Sequence, residues 1–384
     1  MIERALTSKI LSLAQKFQVI TLTGPRQSGK TTLVKAAFPV LPYVSLEEPD
    51  IRQIALTDPR GFLSNYPTGA VLDEIQNTPE LFSYIQRIVD ENRKPQFILT
   101  GSSNFLLMEK VSQTLAGRTA ILHLLPFSFD ELKPGAEPYE NLIFKGQYPR
   151  IYDRELAPTD FYPAYIQTYI EKDVRLMKNI GDINAFIRFT QLCAGRTGQL
   201  LSYAGLASDA GISPNTAKTW LSILESSYIL YRLQPFHRNF NKRLVKSPKL
   251  YFYDTGVACS LLGIRDEGQV NLHYMKGALF ENLIINEFIK RNFNRGEHSQ
   301  PYFWQDSHGK EIDCLLVDGE KITAVEIKSG KTMSSNYFDN IEYWRGLAGT
   351  SQEQSYVVYG GDQSLQTSAG KLVSWREFDR IPAA

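Results

Sequence analysis

The feature that most constrains this chain is a short loop at residues 24–31, Gly-Pro-Arg-Gln-Ser-Gly-Lys-Thr, which fits the pattern G-x-x-x-x-G-K-[ST]. The apolar residues 19–22 before the loop predict a buried strand, and residues 29–37 after it predict a helix. The positive end of that helix faces the loop, and the glycines let backbone N–H groups surround an anion. Strand, loop and helix in this order predict a phosphate-binding loop rather than a chance glycine-rich turn.

This loop predicts that the chain binds a nucleoside triphosphate, with ATP and Mg²⁺ as the expected ligands. Lys30 would reach the β- and γ-phosphates, and the Thr31 hydroxyl would bind the Mg²⁺. The residues predicted to contact the nucleotide are Gly24, Pro25, Arg26, Gln27, Ser28, Gly29, Lys30, Thr31 and Thr32.

An acidic motif follows about forty residues later, at residues 69–74, Gly-Ala-Val-Leu-Asp-Glu. An apolar strand that ends in two acids is the pattern of a Walker B element. Asp73 would hold the Mg²⁺ through water, and Glu74 would polarise the attacking water. Adjacent acids also occur at solvated strand ends, but the loop upstream favours the catalytic interpretation.

Two polar features follow the acidic motif. Residues 96–100 predict a strand whose tip carries Ser102 and Ser103, and Arg118 precedes another predicted strand at 119–124. The Arg118 guanidinium could stabilise transition-state charge in its own or a neighbouring subunit, and an ordinary ion pair is the alternative.

The alternation of strands and helices predicts an α/β fold with a doubly wound parallel sheet.

Further motifs lie at residues 100–103, Thr-Gly-Ser-Ser, at 115–118, Leu-Ala-Gly-Arg, at 125–132, and at 169–174, Tyr-Ile-Glu-Lys-Asp-Val. Together with the phosphate-binding loop and the acidic motif, they resemble a widespread group of prokaryotic AAA-superfamily ATPases. The resemblance covers nearly the whole chain and implies that Ser102 or Ser103 senses the γ-phosphate.

The same resemblance implies a division into three parts. These are a P-loop AAA-type ATPase domain at 1–135, a helical and winged-helix segment at 136–270, and a domain of restriction-endonuclease-like fold at 271–384.

The middle of the chain has a helix-turn-helix pattern of its own. Residues 201–211 predict one helix and 214–226 a second, with Ser213 as the N-cap of the second helix. The outer face of that second helix would carry three polar residues, Asn215, Lys218 and Thr219.

Residues 232–249 then form a basic stretch with interleaved aromatic residues and no acid, and its cations are Arg232, Arg238, Lys242, Arg243, Lys246 and Lys249. At the position of a wing, such a stretch predicts contacts with nucleic-acid phosphates, and DNA is the expected partner. Winged helices also dock proteins, and basic loops are often only solvated, so both alternatives stay open.

Near the C-terminus, Asp313 is followed about thirteen residues later by Glu326-Ile327-Lys328, a pattern that resembles the PD-(D/E)xK nuclease core. Asp313, Glu326 and Lys328 would carry phosphodiester cleavage, with Lys328 positioning a water. Two carboxylates on adjacent strands repel one another unless a cation lies between them, so Asp313 and Glu326 would bind Mg²⁺. The resemblance to this nuclease core implies that Glu281, from a helix, completes the cation site. Charged strand faces are common, and this fold also serves as a binding module, so cleavage itself stays open.

Charge, hydropathy and cysteine content narrow the classes of protein to which this chain could belong. The formal charge of +1 means that any nucleic-acid contact must come from a local patch. No apolar run approaches the ~20 residues needed to span a bilayer, and the N-terminus lacks the order of a signal peptide. The three separated cysteines argue against a disulfide framework or a zinc cluster and favour a reducing compartment, by default the cytoplasm.

Taken together, the sequence predicts an ATP-binding and ATP-hydrolysing AAA-type ATPase that acts on DNA and carries a nuclease-like C-terminal domain. The alternatives are a nucleotide-dependent switch whose nuclease-like domain never cuts, and a transcriptional regulator built on the winged helix. A homo-oligomer would follow if Arg118 acts across subunits, and no membrane partner is expected.

Overall fold

The computed structural model describes residues 2–92, 94–102, 111, 113–169, 180, 182–237 and 245–382. Contacts divide the chain into two compact units. The first is Met1–Phe127 with Ser226–Tyr228 and Phe293–Glu297, and the second is Ser128–Glu225, Ile229–Asn292 and His298–Ala384. The predicted boundary at 270/271 falls inside the second unit, and the three-part division stays a prediction. Predictions that name residues 170–174, Ser103, Arg238, Lys242 or Arg243 lie outside the described residues.

The first unit contains a parallel sheet of five strands in the order β2-β3-β4-β1-β5, as the alternating pattern predicted. Its strands are β1 Val19–Thr23, β2 Tyr43–Ser45, β3 Gly69–Asp73, β4 Gln96–Gly101 and β5 Thr119–His123. Its helices are α1 Thr7–Ala14, α2 Lys30–Ala37, α3 Pro49–Thr57, α4 Pro59–Ser64 and α5 Leu81–Glu91, with a 3₁₀ turn at Ile75–Asn77.

Alternate side chains of these strands enter two separate hydrophobic cores, because side chains alternate across a sheet. Ile20 of β1 and Ile98 of β4 pack with residues of α1 and α2, whereas Val19 and Phe97 pack with residues of α3, α4 and α5. Both faces of the sheet are therefore covered. Since β4 lies between β1 and β3, its C-terminal tip lies between the phosphate-binding loop and Asp73.

The second unit contains a sheet of eight strands in the order β12-β13-β11-β10-β9-β8-β6-β7. The strands are β6 Leu230–Pro235, β7 Lys249–Phe252, β8 Tyr302–Gln305, β9 Glu311–Asp318, β10 Lys321–Lys328, β11 Ser355–Tyr359, β12 Leu365–Gln366 and β13 Lys371–Ser374. The helices from residue 128 onward are α6 Phe129–Leu132, α7 Tyr139–Lys145, α8 Pro149–Asp153, α9 Pro158–Tyr169, α10 Ile183–Ala194, α11 Tyr203–Ala210, α12 Pro214–Ser226, α13 Thr255–Leu261, α14 Glu267–Leu272, α15 Lys276–Asn294 and α16 Asp339–Ala348. Short 3₁₀ helices lie at Ser335–Phe338, Gln352–Gln354 and Trp375–Arg380.

Helices α11 and α12 form the expected helix-turn-helix pair. The Ser213 Oγ accepts a 3.1 Å hydrogen bond from the Thr216 N–H, which caps α12. The Trp220 ring packs edge-on against Phe186 and Phe189 of α10, at centroid distances of 5.2 and 5.5 Å. The polar residues predicted on the outer face of α12 are exposed, namely Asn215, Lys218 and Thr219.

The antiparallel pair β6 and β7 follows this helix pair, and β6 also pairs in parallel with β8. The strands at the position of a predicted wing therefore belong to the same sheet as the C-terminal strands. A separate winged-helix domain stays a prediction. Within the described part of the chain, every helix is too short or too polar to cross a lipid bilayer.

Candidate nucleotide site and carboxylate cluster

The loop between β1 and α2 depends on its two glycines. A Cβ atom on Gly24 would lie 2.1 Å from the Leu124 carbonyl oxygen, so the backbone approaches closer than any side chain allows. Gly29 is the N-cap of α2 and has a φ of 93°. Gln27, which is exposed, also lies in the left-handed region with a φ of 61°. Left-handed backbone at a residue other than glycine is uncommon and concentrates at functional sites.

Lys30 is turned back onto this loop. Its Nζ donates to the carbonyl oxygens of Gly24, at 2.8 Å, and Pro25, at 2.7 Å. The buried Ser28 hydroxyl has no hydrogen-bond partner among the described residues. An ammonium bonded to neutral carbonyls, next to an unsatisfied hydroxyl, fits a site for an anion such as a triphosphate. Two other predicted contact residues lie nearer the surface, with Arg26 half-buried and Thr32 exposed.

Asp73, at the end of β3, accepts hydrogen bonds from three neutral hydroxyl groups. Thr31 and Tyr43 donate to its Oδ2 at 2.8 and 2.5 Å, and Thr100 donates to its Oδ1. Burial, followed by the hydrogen bond to Asp73, raises the pKa of Tyr43 above its ordinary value, so Tyr43 is a donor at neutral pH. The structure thus brings together the predicted magnesium residues Thr31 and Asp73. A carboxylate oxygen beside a threonine hydroxyl suits Mg²⁺, which prefers hard oxygen ligands.

Tyr43 and Thr100 were not predicted. Thr100 is a polar residue at the end of an otherwise apolar strand, one strand away from Asp73, and that pattern could have indicated it. The position of Tyr43 depends on the pairing of β2 with β3, which the sequence does not specify.

Glu74 follows Asp73 in the left-handed region, with a φ of 56°. Its Oε2 accepts hydrogen bonds from the Ser102 Oγ at 3.1 Å and from the Gln76 side-chain amide. The serine proposed as a γ-phosphate sensor thus touches the acid proposed to polarise water. This contact orients the Glu74 carboxylate without supplying a charge.

Arg118 forms an ion pair with Asp90 of α5. Its Nε and Nη2 donate to the two Asp90 carboxylate oxygens at 2.6 and 2.9 Å, and both side chains are partly exposed. The structure therefore shows the ion pair that the sequence left as the alternative. A role for Arg118 in catalysis would require this pair to open.

Arg4 is a residue of this unit that the sequence did not indicate. The side chain is buried, and its two Nη atoms donate to the carbonyl oxygens of Ser28 at 2.6 Å and Leu125 at 2.7 Å. The guanidinium also lies 4.9 Å from the centroid of the Phe127 ring. Arg4 thus ties the phosphate-binding loop to the residues that follow β5.

A second group of charged residues lies within the second unit. Glu281 of α15, together with Glu311 and Asp313 of β9, contributes carboxylate oxygens that all lie within 4.8 Å of one another. The structure brings together the predicted residues Glu281 and Asp313 and adds Glu311, which the sequence analysis missed. Glu311 lies two residues before Asp313 on the same strand, so the period of two could have identified it.

Glu326 and Lys328 of β10 lie beside this cluster. The Lys328 Nζ contacts a Glu326 carboxylate oxygen and lies 3.6 Å from Asp313 Oδ2, which also accepts a 2.8 Å hydrogen bond from the Ile327 N–H. Glu326 is 1 % exposed, and its Oε1 has no hydrogen-bond partner within the described ranges. Burial raises the pKa of Glu326 well above its ordinary value.

The cluster also contains a lysine from the predicted basic stretch. Lys249 of β7 places its Nζ 3.2 Å from Glu281 Oε1 and in contact with Glu311, with 5 % of its side chain exposed. The Tyr251 hydroxyl donates to the same Glu281 oxygen at 2.5 Å. Burial raises the pKa of Glu281 to about 7, and the Lys249 ammonium opposes that rise.

The basic stretch is therefore smaller at the surface than the sequence indicates. Lys249 is buried in the cluster, and Arg232 makes two hydrogen bonds to the Glu225 carboxylate and one to Tyr203. Acidic partners already engage both residues, and contact of this stretch with nucleic-acid phosphates stays a prediction. Lys246 is exposed.

Family matches cover three segments of the chain. Residues 16–133 match the family described as AAA domain, residues 136–268 match a domain of unknown function (DUF8612), and residues 276–378 match another (DUF4143).

Two uncharacterized relatives are similar over most of the chain. One, from Mycobacterium tuberculosis, is 28 % identical over 320 residues, which cover 82 % of this chain and 71 % of that protein. The other, from Methanocaldococcus jannaschii, is 22 % identical over 350 residues, which cover 82 % of this chain and 75 % of that protein.

Two solved structures are also similar. A Walker-type ATPase of Pyrococcus abyssi has a TM-score of 0.45 at 15 % identity and covers 68 % of this chain and 96 % of its own. A STAND protein with a tetratricopeptide repeat sensor, from Pyrococcus horikoshii, has a TM-score of 0.24 at 10 % identity and covers 78 % of this chain and 48 % of its own. Both scores are too low to bear on function.

Residues 16–133 match an AAA domain and contain the five-stranded parallel sheet, which together support an AAA-type P-loop ATPase. This confirms the predicted ATPase class. The families matched by the rest of the chain have no assigned function, so the winged-helix and nuclease-like assignments stay predictions.

Proposed function

We propose that this chain binds Mg²⁺-ATP at the loop between β1 and α2 and hydrolyses it. The observation that carries the proposal is the 2.8 Å hydrogen bond between the Thr31 hydroxyl and the Asp73 carboxylate. These groups come from the two motifs whose joint task is to hold the nucleotide's magnesium.

The remaining residues have separate tasks. Lys30 exchanges the carbonyl oxygens of Gly24 and Pro25 for phosphate oxygens when the nucleotide binds. Glu74, oriented by Ser102, polarises the water that attacks the γ-phosphorus in line with the leaving β-phosphate oxygen. Held by Thr31 and Asp73, a Mg²⁺ ion would supply positive charge to stabilise the leaving group.

ATP turnover and nucleotide binding, measured together, test this proposal. Lys30→Met should abolish both, because the apolar side chain cannot bond to phosphate. Glu74→Gln should retain binding and slow turnover on the order of 100-fold, because the amide cannot activate water. Lys16→Met, at an exposed position outside the site, is the control and should match the wild type. Equal turnover in wild type and Glu74→Gln would refute the assigned role of Glu74.

A second candidate activity is metal-dependent cleavage of DNA at Asp313, Glu326 and Lys328, with Glu281 completing the metal site. The observation that favours it is that carboxylate oxygens of Glu281 and Asp313 lie within 4.8 Å of each other. The exposed face of α12, with Asn215, Lys218 and Thr219, is the surface we assign to the DNA.

Nicking of supercoiled plasmid in Mg²⁺ tests this second candidate. Asp313→Ala should remove the nicking, and Lys30→Met should leave it intact. Nucleotide-dependent DNA binding without any nicking would instead support the switch, in which this part of the chain never cuts.

A further inference from the structure

The carboxylate cluster already contains a cation. Glu281, Glu311 and Asp313 present oxygens within 4.8 Å of one another, which is the arrangement a divalent ion requires. The Lys249 Nζ contacts two of these three residues: it lies 3.2 Å from Glu281 Oε1 and also contacts Glu311. An ammonium group thus lies where two of the carboxylates would bind a metal.

Main-chain bonds fix the strand that carries this lysine. Lys249 lies opposite Leu233 of β6 in the antiparallel pair. On the other side of β7, the Leu201 N–H donates to the Pro248 carbonyl at 2.8 Å, and the Leu250 N–H donates to the Gln199 carbonyl at 3.1 Å. The backbone is held on both sides, so only the flexible lysine side chain can leave the cluster.

The Lys249 ammonium and a metal would compete for the same carboxylate oxygens of Glu281 and Glu311. Two carboxylates hold the buried ammonium, and this contact offsets the cost of burying all three charges. A divalent ion bound to the same oxygens would lie within a few ångströms of the ammonium and would be repelled by it. Beside the cluster, the buried Glu326 Oε1 has no hydrogen-bond partner in the described part of the chain, so a further oxygen is available to a cation.

We propose that Lys249 is a resident counter-ion that keeps the Glu281, Glu311 and Asp313 cluster closed to divalent cations. A metal binds there only after the lysine side chain withdraws. This inference rests on the second candidate activity, the metal-dependent cleavage of DNA, because it concerns the same site. It adds a way to regulate that activity, since the position of the Lys249 side chain would control metal binding.

Binding of Mn²⁺ to the full-length protein tests the proposal, measured by the electron paramagnetic resonance signal of free Mn²⁺ and by thermal unfolding. The protein is first stripped of metal with EDTA, the EDTA is removed, and Mn²⁺ is then added without ATP, in a Lys30→Met background that disables the nucleotide site. Lys249→Met should have a lower Tm than its parent without metal, because the Glu281 and Glu311 carboxylates lose their cation. Mn²⁺ should restore that Tm and bind at least about tenfold more tightly than to the parent.

Lys290→Met is the matched control. Lys290 is also buried and lies 3.1 Å from Glu287 of the same helix, outside the three-carboxylate cluster. Its replacement should lower the Tm without recovery in Mn²⁺. If Lys249→Met does not fold, Lys249→Gln retains hydrogen-bonding capacity without the charge and serves the same comparison.

Equal Mn²⁺ affinity with and without Lys249, or a loss of affinity in Lys249→Met, overturns the proposal. Glu311→Gln added to Lys249→Met should remove the gain, and its persistence would place the metal elsewhere and also overturn the proposal. The result for Mn²⁺ binding can be distinguished from the result for the proposed DNA cleavage. Tighter Mn²⁺ binding without plasmid nicking supports the counter-ion and refutes cleavage, whereas nicking with unchanged Mn²⁺ affinity does the reverse.

Discussion

The two carboxylate sites of this chain have different hydrogen-bonding and charge partners. Asp73 accepts hydrogen bonds from three neutral hydroxyl groups. Glu281 instead contacts the Lys249 ammonium and the Tyr251 hydroxyl. Neutral donors orient a carboxylate without cancelling its charge, whereas a buried ammonium cancels it. The difference predicts that mutations at the first site affect chemistry and that mutations at the second affect stability.

The sharpest test of this comparison is Asp73→Asn. The amide retains the shape of the side chain but not its charge, so we expect Mg²⁺-dependent ATP turnover to fall on the order of 100-fold. Stability should change by less than about 1 kcal/mol, because neutral hydroxyl groups can also bond to an amide. Turnover assays and urea unfolding measure the two effects, with Asp50→Asn, an exposed acid of α3, as the control. A large loss of stability would show that Asp73 is structural and would break the comparison.

The complementary change is Glu281→Gln in the second unit. It leaves the Lys249 ammonium with one fewer carboxylate in a buried position, and we expect a loss of about 2–4 kcal/mol in the free energy of unfolding. ATP turnover should stay within about twofold of the wild type, since the residue lies outside the nucleotide site. Glu342→Gln, an exposed position on α16, should change neither quantity. A neutral or stabilising effect of Glu281→Gln would mean that the ion pair does not hold the cluster together.

The first site could be predicted largely from sequence, because the phosphate-binding loop is contiguous and the acid it needs ends a recognisable strand. Thr31 and Asp73, 42 residues apart, meet because the parallel strands of one sheet align their C-terminal ends. The second site was predicted only in part. Lys249 is 32 residues from Glu281 and 62 from Glu311, and no local pattern pairs them.

Lys249 also illustrates how composition misleads. A lysine in a run of basic residues indicates an exposed surface, but whether it is exposed depends on which strands flank it. The pairing of β6 with β8 joins the predicted wing to the C-terminal sheet and buries this lysine. That pairing is a tertiary contact, so the sequence alone could not indicate it.

Arg4→Met tests whether a buried arginine holds the phosphate-binding loop of the first unit in place. The change removes the donors to the buried carbonyl oxygens of Ser28 and Leu125, and we expect a loss of about 2–4 kcal/mol in unfolding free energy. ATP affinity should fall as well, because the loop loses an anchor. The control is Arg87→Met, which removes an exposed ion pair with Glu91 and should leave the stability of the protein nearly unchanged. Unchanged stability in Arg4→Met would show that the loop holds its shape without this arginine.

The smallest effect is expected from Arg118→Ala. The ion pair with Asp90 is partly exposed and screened by solvent, so its loss should leave the stability of the protein nearly unchanged. If the pair is only structural, ATP turnover should stay within about twofold of the wild type and Asp90→Ala should behave alike. If Arg118 is catalytic, Arg118→Ala should instead slow turnover by about 1000-fold or more, while Asp90→Ala, which frees the guanidinium, would keep or raise the rate.

Mixing Arg118→Ala with Lys30→Met protein then distinguishes an arginine that acts within its own subunit from one that acts on a neighbouring subunit. Turnover recovers only if the arginine of one subunit acts on the nucleotide of another, because the Lys30→Met subunit still supplies Arg118 and the Arg118→Ala subunit still binds ATP.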